Sequence, residues 1–176
     1  MNRFLSLALA ALLLAPCVSA ADLPASAAPS GPETAAASAV LMEKESGAVL
    51  YEKDARQKLE PASVTKIMTL LLIMEALDSG RIARDDMVTV SAYAAGMGGS
   101  QVYLKEGEQM SVSELLKCIT VVSGNDAAVA MAEYLSGSEA DFVAEMNLRA
   151  RELGMADTNF VNCTGLTAEG HVTSAH

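Results

Sequence analysis

The sequence predicts an α/β fold of the α+β kind, in which an antiparallel hairpin leads into a mainly helical body. Three observations carry this reading. Short β-prone runs at residues 40–42 and 49–51 flank Glu45-Ser46-Gly47, a hairpin signal. An apolar stretch from Pro61 to Leu77 is far too long for a strand and is bracketed by Pro61 and Gly80. Ser111-Val112-Ser113-Glu114 has the spacing of a capping box, ahead of a further apolar run over residues 115–122. The chain has 176 residues, enough for one domain with a substantial core and too few for two.

The elements follow in order. Residues 1–20 read as a signal peptide: Asn2 and Arg3 give a positive start, residues 4–14 an apolar run, and Val18-Ser19-Ala20 a small-residue cleavage site. The run is too short to span a bilayer easily. A lipoprotein would need Cys17 as its acylated residue, and Pro16 before it fits that signal poorly. Residues 21–38, rich in Ala, Ser and Pro, read as a flexible leader, with order beginning near Ala39. In the stretch after Pro61, residues Ile67, Met68, Leu70, Leu71, Leu72, Ile73, Met74 and Leu77 cover nearly every helical face. Such a helix is expected to be buried at the centre of the domain. Residues 87–90 read as a short strand and residues 94–100, with three glycines, as a loop. Ser123-Gly124-Asn125 breaks the helical pattern, which resumes over residues 126–135. Ser138 can cap a further helix that stops at Gly154. Residues 155–176 read as a polar, loop-like tail.

Composition excludes several classes of function. Net charge is −10, and Arg3 is the only charged residue of the first 20, so the processed chain stands at −11. No basic stripe relieves this charge, which argues against nucleic acid and anionic lipid as partners. Cys118 and Cys163 remain after processing. Two cysteines make no disulfide scaffold, and Cys118 in its apolar run reads as a buried free thiol. There is no Cys-x-x-Cys pair and no His-Glu-x-x-His, and His171 and His176 are spaced wrongly for a helical metal pair, so neither a metal nor a cofactor is expected. No Gly-x-Ser-x-Gly elbow supports a Ser-His-Asp triad.

Two constellations carry chemistry. In Ser63-Val64-Thr65-Lys66, helical spacing puts Ser63 and Lys66 on one face, where the amine can take the hydroxyl proton if its pKa is lowered. Apolar flanks at Ile67 and Met68 and the positive end of the helix push in that direction. The same helix end aims backbone N–H groups at any oxyanion formed at Ser63. A capping serine with a solvated lysine is the plain alternative, but a lysine is out of place in a helix so apolar elsewhere. The second constellation is Ser123-Gly124-Asn125. By itself it is also an ordinary helix–helix turn with an Asn cap; at a turn tip its side chains can face a cleft.

Together, Ser-x-x-Lys and Ser-x-Asn resemble the first two active-site motifs of penicillin-binding proteins and serine β-lactamases. Residues 61–69 are similar to the nucleophile helix of low-molecular-mass serine D-alanyl-D-alanine carboxypeptidases. Residues 122–127 are similar to their second motif, and Phe160-Val161-Asn162, Gly165-Leu166, His171 and Ser174-Ala175 to the segment that follows. The resemblance implies the β-lactamase/DD-peptidase fold, an antiparallel sheet flanked by helices with a helical subdomain. It implies Ser63 as nucleophile, Lys66 as its base, Ser123 as proton relay to the departing D-alanine, and Asn125 as a ligand of Lys66 and of the substrate amide. It implies peptidoglycan stem peptides ending in D-Ala-D-Ala as substrates, and β-lactams as covalent inhibitors at Ser63. The setting would be the extracytoplasmic face of the envelope, periplasm or wall, with a role in wall biogenesis and cell shape.

The family's third motif, Lys-Thr/Ser-Gly, does not occur in this sequence. Residues 39–176 are therefore expected to be a partial DD-peptidase domain without its later strands. Its own activity would be weak, and any membrane contact would lie in a later segment. A β-lactamase and a non-catalytic penicillin- or wall-binding protein are the rival readings. Gly124 and the Asn162/Gly165 segment favour the peptidase over the β-lactamase.

Overall fold

The computed structural model describes residues 31–176; the expected signal peptide, its expected cleavage site and the first part of the expected leader lie outside the described residues. The first ladder pairs β1 (Ala39–Met42) with β2 (Val49–Lys53), antiparallel, with a register irregularity between Leu41 and Met42. Its turn is held by the Glu43 carboxylate, which accepts the backbone N–H groups of Glu45 and Ser46. A 3-10 turn, Ala62–Thr65, then leads into α1 (Lys66–Asp78). A second antiparallel ladder joins β3 (Met87–Thr89) to β4 (Gln109–Ser111), so strand pairing is divided between two small ladders. Between these strands lies a single-turn helix, α2 (Ala92–Ala95), capped by the Ser91 hydroxyl. The helical body is completed by α3 (Val112–Val122), α4 (Asn125–Ser136) and α5 (Glu139–Glu152).

The caps behave as their residue types require. The Ser111/Glu114 capping box is formed reciprocally, and Ser138 accepts the N–H of Asp141 at the start of α5. Neither α2 nor β4 was legible: each is three or four residues long and carries no periodicity of its own. β4 is fixed by pairing with β3, and pairing is a tertiary fact.

The centre of the domain is α4, not α1. Residues 127–132, Ala-Ala-Val-Ala-Met-Ala, are all buried, and α1, α2, α3, α5 and β3 all pack on this helix. Small side chains let neighbours approach from every side, which a Leu-rich helix of the same length does not allow. α1 instead buries one side through Met68, Leu72, Ile73 and Ala76, while Val64 and Ile67 remain 61% and 68% exposed and Met74 is also exposed. No element of the described residues covers Val64 and Ile67. They border an apolar cavity of about 300 Å³ with Pro61, Met68, Leu71 and Phe160. The hairpin likewise leaves Leu41, Met42, Val49 and Leu50 exposed.

The tail is loop-like but not a solvated surface. Leu59 bridges Thr173, Asn159 bridges Val172, and Phe160, Cys163, Thr164 and His171 are buried. Among the described residues Cys118 and Cys163 are free thiols, and it is Cys163 that is fully buried, Cys118 only partly so.

Candidate active site

Four segments meet at one lysine. Ala62, with φ +47°, turns the chain sharply into the 3-10 turn and leaves Ser63 exposed at its outer edge. Lys66, the first residue of α1, points inward and is 3% exposed. Its Nζ lies 3.4 Å from Ser63 Oγ. It donates to Asn125 Oδ1 at 2.6 Å and to the Thr164 carbonyl at 2.7 Å. Burial lowers the pKa of Lys66, and only a negative charge on Cys163 would oppose this. Burial also raises the Cys163 thiol well above its ordinary range, so at neutral pH the opposing charge is absent and desolvation prevails.

Asn125 opens α4 and is itself held from both ends. Its Nδ2 donates to the Gly98 carbonyl at 2.7 Å and its backbone N–H to the Ser100 carbonyl at 2.7 Å. Gly99 lies between those carbonyls at φ +77°, and a Cβ there would sit 2.8 Å from Asn125 Nδ2. Glycine is therefore required by both conformation and space. The neighbouring Asp126, fully buried, accepts the backbone N–H groups of Val102 and Leu104 and so fastens the 98–104 loop over the start of α4.

Ser123 ends α3 in the left-handed conformation, φ +58°. Its Oγ is buried and has no hydrogen-bond partner among the described residues. A buried hydroxyl in that state has unused donor and acceptor capacity. The structure thus joins Ser63, Lys66 and Asn125 through one nitrogen, and sets Ser123 two residues before Asn125 in the α3–α4 turn.

The 159–173 segment packs against one side of the 62–65 turn and the start of α1. Cys163 O accepts the Thr69 hydroxyl, Thr164 O accepts Lys66, and His171 Nε2 lies 2.7 Å from Thr65 Oγ1. Asn162 Oδ1 accepts the N–H groups of Thr164 and Gly165 and so shapes the loop that presents the Thr164 carbonyl. Gly165 at φ +86° lies directly on Ala62: a Cβ there would fall 1.8 Å from the Ala62 oxygen. Thr164, Thr65, Thr69, His171 and Asp126 were not among the sequence candidates. A backbone carbonyl 98 residues from its lysine leaves no trace in local spacing; the Asn162-x-x-Gly165 turn was the one available signal.

Comparison with known proteins agrees across sequence and structure. The sequence model of the D-alanyl-D-alanine carboxypeptidase family matches residues 25–176. The chain is 59% identical over 141 residues to the D-alanyl-D-alanine carboxypeptidase DacF of Bacillus subtilis, covering 80% of this chain and 36% of that protein. It superposes on the crystal structure of the D-alanyl-D-alanine carboxypeptidase DacD from Francisella tularensis with a TM-score of 0.81 at 38% identity, over 85% of this chain and 36% of that one. It also superposes on penicillin-binding protein D2 from Listeria monocytogenes in its ampicillin-bound form, with a TM-score of 0.69 at 32% identity, over 80% of this chain and 57% of that one. The fold is therefore that of the DD-peptidases, of which the chain spans between about a third and a little over half the length in these relatives. The chain belongs to the S11 peptidase family of D-alanyl-D-alanine carboxypeptidases.

Proposed function

We propose that this chain carries the nucleophile, its base and part of the substrate site of a penicillin-binding serine D-alanyl-D-alanine carboxypeptidase. The observation that carries the proposal is the set of neighbours around Lys66 Nζ. A neutral amine offers two N–H donors and one lone pair. Here it faces two carbonyl acceptors, Asn125 Oδ1 and Thr164 O, and one hydroxyl, Ser63 Oγ. The two donors are used by the carbonyls, and the lone pair is left for the Ser63 proton. Burial, which lowers the lysine pKa, supports the same protonation state.

In the proposed reaction Ser63 Oγ attacks the carbonyl between the two terminal D-alanines of a stem peptide, and Lys66 takes its proton. The C–N bond then breaks as Ser123 gives its proton to the departing D-alanine amine and is reprotonated by Lys66, which is neutral again for the next step. Water hydrolyses the acyl-enzyme, releasing the shortened peptide and free Ser63. Asn125 Nδ2 spends one N–H on Gly98 and keeps the other for the substrate amide oxygen. Ser123 Oγ, without a partner among the described residues, is free to serve as the relay. A β-lactam imitates the D-Ala-D-Ala terminus and would acylate the same serine; the ampicillin-bound relative supports that reading. The signal-peptide pattern in residues 1–20 supports export to the envelope, where wall biogenesis and cell shape would be served.

The absence of a Lys-Thr/Ser-Gly motif from the sequence favours one second reading for the chain taken alone: binding or acylation without turnover. Labelling with a fluorescent penicillin and D-alanine release from a D-Ala-D-Ala peptide, measured on the complete gene product, test both readings. Labelling with release supports the enzyme; labelling without release supports the binding protein; neither would contradict both.

A further inference from the structure

His171 is 2% exposed, yet the proposed chemistry gives it no part. Its two ring nitrogens are engaged on two different segments of the site. Nδ1 accepts the backbone N–H of Val161 at 3.0 Å, and Nε2 lies 2.7 Å from Thr65 Oγ1. A backbone N–H can only donate, so Nδ1 holds a lone pair and the neutral ring carries its proton on Nε2. The Nε2–H then donates to the Thr65 hydroxyl. Phe160 meets the ring edge-on, with centroids 5.9 Å apart, and limits its rotation.

Both contacts bear on the reacting pair. Thr65, itself 2% exposed, stands two residues after Ser63 and directly before Lys66 in the turn that sets their separation. Val161 directly precedes Asn162, whose side chain shapes the loop presenting the Thr164 carbonyl to Lys66 Nζ. One imidazole thus ties the turn that carries the nucleophile and base to the loop that holds the base.

We propose that His171, as the Nε2–H tautomer, is a positioning residue for Ser63 and Lys66, acting through the Thr65 hydroxyl. The effect is geometric. A hydroxyl 3.4 Å from its base is at the outer limit of a useful contact, so a small shift of the turn separates the pair. This inference rests on the proposed function, since it assigns a residue to that reaction.

The test uses the complete gene product and substitutions that split the two contacts. His171→Gln places an amide nitrogen where Nε2 lies and keeps the bond to Thr65. His171→Asn places an oxygen where Nδ1 lies and keeps only the bond to Val161. Thr65→Val keeps the shape of the residue without the hydroxyl, and Thr65→Ser restores the hydroxyl. The measurement is the rate of Ser63 acylation by a fluorescent penicillin. Thr65→Val and His171→Asn are expected to slow it by about 10-fold to 10²-fold. His171→Gln and Thr65→Ser are expected to stay within about threefold of wild type. The Thr65→Val/His171→Asn double variant is expected to be no slower than the slower single, because both remove one interaction.

A Thr65→Val protein with the wild-type rate, a His171→Gln as slow as His171→Asn, or losses that multiply in the double variant would each overturn the proposal. A long-range ¹H–¹⁵N spectrum of the wild-type protein reports the tautomer without any need for activity. An Nε2–H signal with an unprotonated Nδ1 supports the proposal, and an Nδ1–H ring overturns it. A wild type that is never acylated would remove the proposed activity, while that spectrum would still judge the His171 geometry.

Discussion

Lys66 Nζ and Asn125 Oδ1 lie 2.6 Å apart, joining the first residue of α1 to the first residue of α4 across 59 positions of sequence. Asn125 is neutral, so it orders the amine without fixing a charge on it. Asn125→Ala removes this acceptor and also the donor to Gly98. It is expected to slow acylation by about 10²-fold, the size typical of a misplaced general base. Stopped-flow acylation by a β-lactam measures this; a rate within threefold of wild type would show that Thr164 alone suffices to hold the lysine.

The pH dependence has a definite sign. Burial lowers the Lys66 pKa, so the neutral, proton-accepting amine persists to lower pH than for an exposed lysine. Acylation should rise with pH through a midpoint below the ordinary lysine range. Asn125→Asp puts a carboxylate beside the amine, favours the ammonium and should move that midpoint upward. For stability, the unfolded chain binds a proton at Lys66 that the folded chain has lost, in the interval between the lowered folded pKa and the ordinary value. Stability from this group therefore rises with pH across that interval. A pH–rate profile of the two proteins decides the matter, and a midpoint that moved down in Asn125→Asp would contradict the assignment.

Gly165 and Gly170 form a matched pair. Both have positive φ, +86° and +81°, so an alanine at either carries a backbone cost of about 1–3 kcal/mol. Only Gly165 also presses on the 62–65 turn, where a Cβ would overlap the Ala62 carbonyl and approach Ser63 N at 2.9 Å; at Gly170 the nearest atom is 3.8 Å away. Gly165→Ala is expected to lose acylation as well as thermal stability, and Gly170→Ala to lose stability with acylation kept. Melting curves beside labelling rates check this, and equal labelling in the two variants would deny the close approach a role.

The legible parts of this protein were those encoded locally. The hairpin around Gly47, the Ser111/Glu114 box, the break at Ser123 and the stop at Gly154 each rest on residues within a few positions of one another, and each is where the sequence placed it. Ser63, Lys66 and Asn125 were legible as candidates because two short motifs coincide in one chain, and the structure brings them within hydrogen-bond reach. The centre of the domain is not legible from hydrophobicity, because it depends on size: Leu and Ile mark α1, but the alanines of α4 permit packing on every side. The sequence predicts a polar tail over the 159–173 segment because its contacts are single bonds from Thr164, His171 and Cys163 to the distant 65–69 stretch. Such bonds have no period.

Exposed apolar residues on two elements give a prediction for the chain by itself. Leu50 is 63% and Ile67 68% exposed, and β1–β2 is a two-stranded ladder with unpaired outer edges. Such surfaces invite association. Residues 21–176 expressed alone are expected to elute from size exclusion as oligomers or aggregate and to release D-alanine at trace rates at most. One oxyanion donor is worth about 10²- to 10³-fold, and the family resemblance implies that the Lys-Thr/Ser-Gly strand, whose motif does not occur in this sequence, supplies one. A monodisperse monomer with rapid turnover would mean that other residues of this chain complete the cleft.

The central claim is that Ser63 is a nucleophile activated by Lys66, and mass spectrometry of the penicillin-treated complete gene product tests it most directly. The account predicts a single covalent adduct on the peptide containing Ser63. It should be abolished by Ser63→Ala and formed at least about 10²-fold more slowly in Lys66→Ala. An adduct on another residue, or one that survives Ser63→Ala, would contradict the account.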